Sequence, residues 1–344
     1  MKTGFIYWRL FMTLGLACLA GPVHGATVAE VANLKFGPER QRALQEGARS
    51  EGKLMIYATS SGYKEVAAAF MKEFPFVKVD VFTSRGEPLT QRVLAEARAG
   101  RLGADVLRTN VDVYANLDHL LAPFKSPNAK FDLVPKAAPY SFGGVGFTYS
   151  KERVKEADIP KEVEDLLAPR WKGRIGLFVR PNNYPGRWVG TLLEILGEEQ
   201  TKSFLKKLGD QDPHFYVRPA AGRSGLLSGE FDVNMQGLTS GYVNMIKGEP
   251  SGILALDPTN LSSNLVGVFE QSKNPHAALL FIDWVLGKGA PIAAELKGEW
   301  TPAEVDKRQK GTVKLPGRIR IEKAGDSDHL KSWMAMFQQL VAKK

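Results

Sequence analysis

The stretch KLMIYATSSGYKEVAAAFMKEFPFVKVDVFTSRGEPLTQRVLAEARAGRLGADVLRT, residues 53–109, alternates between two apolar periods. KLMIYAT, KVDVFTS and ADVLRT are short β-branched and apolar runs that read as strands, and the two segments between them read as helices. In the first helix Ala67, Phe70, Met71 and Phe74 share one stripe, and in the second Leu89, Val93, Leu94 and Ala97 do. Pro88 fits a first helical turn, and Gly100 to Gly103 break the chain before the next strand. Strand, helix, strand, helix, strand predicts an α/β domain with parallel strands, both helices packed on the sheet.

A second pattern of the same kind opens after GGVGFTYS, residues 143–150, and runs through RWVGTLLEILG, EQTKSFLKKLG, HFYVRP, GLLSGEFDVNMQG and SGYVNMIKG. It predicts a second lobe. GILALDP and NLVGVFEQS follow as extended runs, then the strongly apolar helix PHAALLFIDWVLG, whose natural partner is the first lobe's sheet. The chain then leaves and re-enters the first lobe, so two strands cross between lobes and a hinge is expected near residues 143–150 and 254–260. The expected division is residues 26–138 and 259–344 in the first lobe and 139–258 in the second. A surface helix, DHLKSWMAMFQQLV, closes the chain and buttresses one lobe.

The first 25 residues read as a secretory signal peptide. Lys2 and Arg9 precede an apolar run from Leu10 to Ala20, too short to span a bilayer comfortably, and small residues follow around Gly25 and Ala26. The one cysteine, Cys18, lies inside this segment, with a poor lipoprotein signal before it. Cleavage after it leaves a mature chain without disulfides, thiolate chemistry or cysteine-ligated metal. The 344 residues, 44% hydrophobic and 24% charged, carry a net charge of +9. The basic residues are dispersed without interleaved aromatics, which argues against nucleic acid and for small anions or an acidic surface.

The segments MIYATSSGYKEVAAAFMKEFP, ADVLRTN, LLAPRWKGRIGL, LLSGEFDVNMQG and NPHAALLFIDWVLG, in this order between Glu51 and Gly289, resemble the periplasmic solute-binding proteins of bacterial ABC importers. The branch they resemble holds the ferric-iron, thiamine and phosphonate binders. The resemblance implies a two-lobed type II periplasmic-binding-protein fold with a ligand cleft between lobes, hinge closure on binding, and delivery of solute to an inner-membrane permease. It implies a periplasmic protein, a monomer, with no cofactor and no enzymatic activity.

Open α/β sheets bind ligands at the carboxyl ends of their strands, which selects the candidate residues. In the first lobe these are Thr59, Ser60 and Ser61 after the first strand, Ser84, Arg85 and Gly86 after the second, and Arg108 with Asn110 at the end of the third. A helix start carries unpaired N–H groups and about half a positive charge, so Ser84 to Gly86 can hold an anion with Arg85 adding its fork. Ser84 acting only as a cap, with Arg85 in solvent, is the alternative. In the second lobe, Arg180, Asn182, Asn183 and Tyr184 precede a helix, and Thr239, Ser240 and Tyr242 stand at another strand-to-helix junction.

In the ferric-iron binders that the chain resembles, the residue in the position of Tyr63 supplies a side chain to the metal. Those proteins also carry two adjacent tyrosines where this chain has Gly241 and Tyr242. Tyr63, Glu87 and Tyr242 remain an alternative iron set. The arginine, hydroxyl and amide lining predicts instead a small anion: a phosphonate, phosphate ester or carboxylate. The histidines show no metal spacing, and no Gly-x-Ser-x-Gly elbow, Walker loop or dinucleotide loop is present.

Overall fold

A computed structural model of the chain describes residues 26–59, 62–179 and 184–342. The signal segment with Cys18, and the candidates Ser60, Ser61, Arg180, Asn182 and Asn183, lie outside the described residues.

The five opening elements form as their periods dictate: strands Lys53–Ala58, Lys78–Thr83 and Val106–Asn110, with helices Tyr63–Glu73 and Gly86–Arg98 between them. Lys53–Ala58 pairs in parallel with both other strands. Beyond Val106–Asn110 the sheet turns antiparallel at Thr259–Phe269, which pairs in turn with the long strand Ala138–Ser150.

That long strand serves two lobes. Its first half, Ala138 to Val145, faces Thr259–Phe269, and its second half, Val145 to Tyr149, faces Val233–Gly237. Ile175–Phe178 and His214–Tyr216 then extend the second lobe's sheet in parallel. Two parallel half-sheets are therefore joined through two crossing strands. The crossing strands approach closely at Gly144, where any Cβ would collide with the carbonyl oxygen of Asn260.

Each half-sheet has its own apolar core. Leu54, Ile56, Phe70, Val106 and Phe281 centre the first. Phe147, Trp188, Leu192, Phe204 and Val233 centre the second. The helix Pro275–Leu286 is buried almost all round, as a helix apolar on every face must be, and packs into the first core. Its buried Asp283 is held by Arg40 at 3.2 Å.

The closing helix, Asp326–Leu340, departs from the expected division at residue 259. It packs on helices Tyr184–Leu196 and Glu198–Gly209, and Phe337 and Val341 complete the second core. Its apolar stripe matches the second lobe's helices, and the expectation that residues 259–344 all join the first lobe is corrected for this helix.

Candidate functional site

At the first lobe's carboxyl edge the parallel register draws the candidates together. The Thr59 N–H donates to the Arg108 carbonyl at 3.1 Å, and the Ser84 N–H donates to the Ala58 carbonyl at 3.1 Å. Arg85 is the N-cap of helix Gly86–Arg98, its backbone extended, and no side chain caps this helix. Ser84 therefore does not do the capping proposed as its alternative role. The Arg85 guanidinium is exposed and has no partner among the described residues. Gly86 lies against Val113, whose methyl would stand 3.2 Å from a Cβ there. Glu87 accepts a bond from Gln91 at 2.7 Å.

Arg108 is placed differently. Only 4% exposed, it donates to the Tyr140 hydroxyl and to Thr59 Oγ1 at 3.2 Å, and stands 3.8 Å from Glu299. Glu299 in turn accepts from Ser141. Burial works against the arginine's charge, but Tyr140 and Glu299 outweigh it and hold its pKa above the usual value. Arg108 thus braces Thr59 from below and is not open to a ligand here. Asn110, half-buried, caps helix Val111–Leu117 by accepting from Val113 N–H at 3.2 Å.

Tyr63 does not line the cleft. It is 2% exposed and packs edge-on against Tyr140 and Phe281, with ring centroids 5.9 and 6.1 Å away. Burial, with Tyr140 adding to it, pushes its hydroxyl well above the ordinary tyrosine pKa, so a phenolate is disfavoured. Its expected role as ligand or iron donor is corrected for this reason.

In the second lobe, Tyr184, Gly237 and Ser240 converge. The Tyr184 ring lies so close over Gly237 that a Cβ there would strike its hydroxyl, and Ser240 Oγ would be 3.3 Å from the same Cβ. Ser240 donates to the Gly237 carbonyl and receives Gln236 Nε2 at 3.4 Å. Thr239 is half-buried and faces Gly143 with its methyl. Tyr242, two residues on and on another side of the helix, packs into a separate apolar cluster with Lys310 5.1 Å over its ring. That commitment takes Tyr242 away from Ser240 and leaves the alternative set Tyr63, Glu87 and Tyr242 dispersed.

Two features escaped sequence reading. Arg187, on the helix after the second lobe's ligand loop, bonds both Glu322 and the first lobe's Asp112. Its side chain is 14% exposed and that of Glu322 3%. Burial opposes the arginine's charge, yet Glu322 and Asp112 hold its pKa above normal. Burial raises Glu322 against the lowering by Arg187, and Ser262 on a crossing strand donates to it at 2.7 Å. The second feature is the segment Lys297, Gly298, Glu299 and Trp300, whose last residue pairs through its backbone with Phe142 on the other crossing strand. Both features depend on residues far apart in sequence.

The described residues contain no group of three or more His, Cys, Asp or Glu side chains able to hold a metal ion. The acids near the strand ends are already engaged: Glu299 by Ser141 and Arg108, Asp112 and Glu322 by Arg187. The arrangement offers exposed positive charge and hydroxyls to whatever enters.

Residues 101–230 match the family described as bacterial extracellular solute-binding protein. A Fe(3+)-binding periplasmic protein from Serratia marcescens is 29% identical over 150 residues, 41% of this chain and 44% of that protein. The chain thus matches less than half the length of that relative. Iron-bound HitA from Pseudomonas aeruginosa superposes with a TM-score of 0.60 at 19% identity, over 84% of this chain and 99% of that one. The periplasmic binding protein AfuA from Actinobacillus pleuropneumoniae, with fructose-6-phosphate bound, gives 0.59 at 21% identity, over 86% and 100%. The fold is that of two-lobed periplasmic binding proteins.

Proposed function

We propose that the chain, a bacterial extracellular solute-binding protein by its matched segment and its fold, captures a small organic anion between its lobes and delivers it to an inner-membrane importer. It acts as a monomer in the periplasm and as a binder, not a catalyst. The observation that carries the anion is Arg85: an exposed, unpartnered guanidinium at a strand's carboxyl end, beside Thr59 and Ser84, with Asp112 and Glu322 paired to Arg187 and Glu87 held by Gln91. An anion seated there gains charge-assisted bonds without displacing an existing ion pair. Tyr184 and Ser240 supply hydroxyls from the opposite lobe.

Ferric iron is the second reading, favoured by the Serratia relative. Its difficulty is the donor set, since Tyr63 is sealed in the core and Tyr242 lies under Lys310. A hard trivalent cation requires several anionic oxygens at one point.

Arg85→Ala is expected to weaken binding of the natural solute about tenfold or more, since a charge-assisted bond contributes about 1.5–3 kcal/mol. Titration calorimetry of both proteins with the copurified solute checks this. The identity test is native mass spectrometry of protein isolated from its own cells without chelators. A bound organic anion is the expected result, and a ferric adduct with a visible charge-transfer band overturns it.

A further inference from the structure

We infer that the first lobe carries a second binding site, apart from the cleft, for an amphipathic anion: an aromatic or acyl body ending in one carboxylate or sulfonate. The inference does not rest on the anion reading of the cleft. The site is a pocket of about 730 Å³, within the size range of small-molecule sites. Its walls are the segment before helix Pro38–Glu51 and the loop that joins strands Leu121–Ala122 and Ala138–Ser150. Leu121–Ala122 pairs with Val268 and Phe269, level with Val106 at the amino end of its own strand, so the loop leaves the sheet on the side away from the cleft. None of the cleft candidates lines the pocket.

One buried residue holds the pocket together. Arg40, 3% exposed, donates to the Leu34 carbonyl at 3.1 Å and to the Lys125 carbonyl at 3.4 Å, and it pairs with Asp283 at 3.2 Å. Both walls are thus fastened to one guanidinium and through it to the core helix Pro275–Leu286, which sets the roots of Lys35 and Lys125 on either side of it. The Phe36 ring centroid lies 5.6 Å from the same guanidinium, yet the residue is 53% exposed. With the half-buried Phe124 and Phe131, Phe36 gives the pocket an apolar lining. Lys35, Lys125 and Lys130 line it too, all exposed and without a charged or hydrogen-bonding partner among the described residues, against a single acid, Asp132. That combination selects the ligand. An apolar body displaces water from the rings, and an anionic end takes charge-assisted bonds from lysines that have no ion pair to break. A neutral ligand leaves the lysines unused, and a small inorganic anion leaves the rings wet.

The probe is 8-anilinonaphthalene-1-sulfonate, aromatic rings with one sulfonate, and its control is N-phenyl-1-naphthylamine, the same rings without the charge. Both are titrated by fluorescence into wild type, the double variant Lys35→Gln with Lys125→Gln, Phe36→Ala and Arg85→Ala. Expected is one saturable sulfonate site per chain with a dissociation constant below about 0.1 mM. The neutral control should bind about tenfold more weakly, and the lysine double variant should lose about tenfold in sulfonate affinity at an unchanged melting temperature. Phe36→Ala should also weaken the sulfonate, and Arg85→Ala should leave it unchanged. Sulfonate binding that is undiminished in the double variant, or lost in Arg85→Ala, places the probe elsewhere and overturns the site. A neutral control that matches the sulfonate overturns the anionic end of the ligand. Absence of any saturable site overturns the inference as a whole, and the reading of the cleft stands or falls separately.

Discussion

Arg187→Ala is expected to destabilise the protein by about 3–5 kcal/mol, because it strips the counter-charge from the buried Glu322 and from Asp112 in one step. The effect should exceed that of a typical point substitution severalfold. Its pH dependence has a definite sign. Burial already raises Glu322 above its unfolded pKa, so the native state holds this proton more tightly than the unfolded state, and charge on Glu322 costs stability as pH rises through the native pKa. Removing Arg187 raises that pKa further. The variant's deficit against wild type should therefore be smaller at about pH 5 than at about pH 7, because protonating Glu322 removes the uncompensated charge. Urea midpoints at the two pH values measure both quantities. A deficit that is small and flat with pH would show that the Arg187 cluster does not hold the lobes and hinge together.

Arg108→Ala is the second large effect, again about 3–5 kcal/mol, and it separates two arginines that sequence reading placed on the same cleft edge. Arg108 is 4% exposed, bonded to Tyr140 and Thr59 and paired with Glu299. Its loss leaves a buried carboxylate and a cavity together. Arg85→Ala, by contrast, removes an exposed side chain with no partner and should shift stability by no more than about 0.5 kcal/mol. Thermal melts of the two variants side by side check the contrast. Equal and small shifts would mean that Arg108 is free to meet the ligand after all.

The architecture was legible because it is written in local periods. The alternation of strand and helix stripes from Lys53 to Thr109 and the apolar helix Pro275–Leu286 follow from residues near in sequence, whereas the crossing strands pair segments far apart in the chain and were inferred from its return to the first lobe. The place of Arg85 at the helix start was legible for the same reason, since a strand followed at once by a helix fixes where the turn lies. Tyr63 was misread although the signal was present: it extends the stripe of Ala67, Phe70 and Phe74 one turn backward, which marks it as core. Other features had no local signal. Lys297 is brought to Gly62, Arg187 to Asp112, and the closing helix to Tyr184–Leu196 only by the tertiary fold. Charge pairing across such distances is invisible to periodicity, so which cations stay free could be decided only from the assembled lobes.

The account stands on the cleft preferring an organic anion, and the most direct measurement is a calorimetric competition between the copurified solute and ferric citrate on the wild-type protein, repeated at low and raised salt. The account predicts saturable binding of an organic anion that weakens with salt and survives removal of iron by a chelator. Binding that requires ferric iron, is abolished by the chelator and leaves the organic anion unbound at either salt would contradict it.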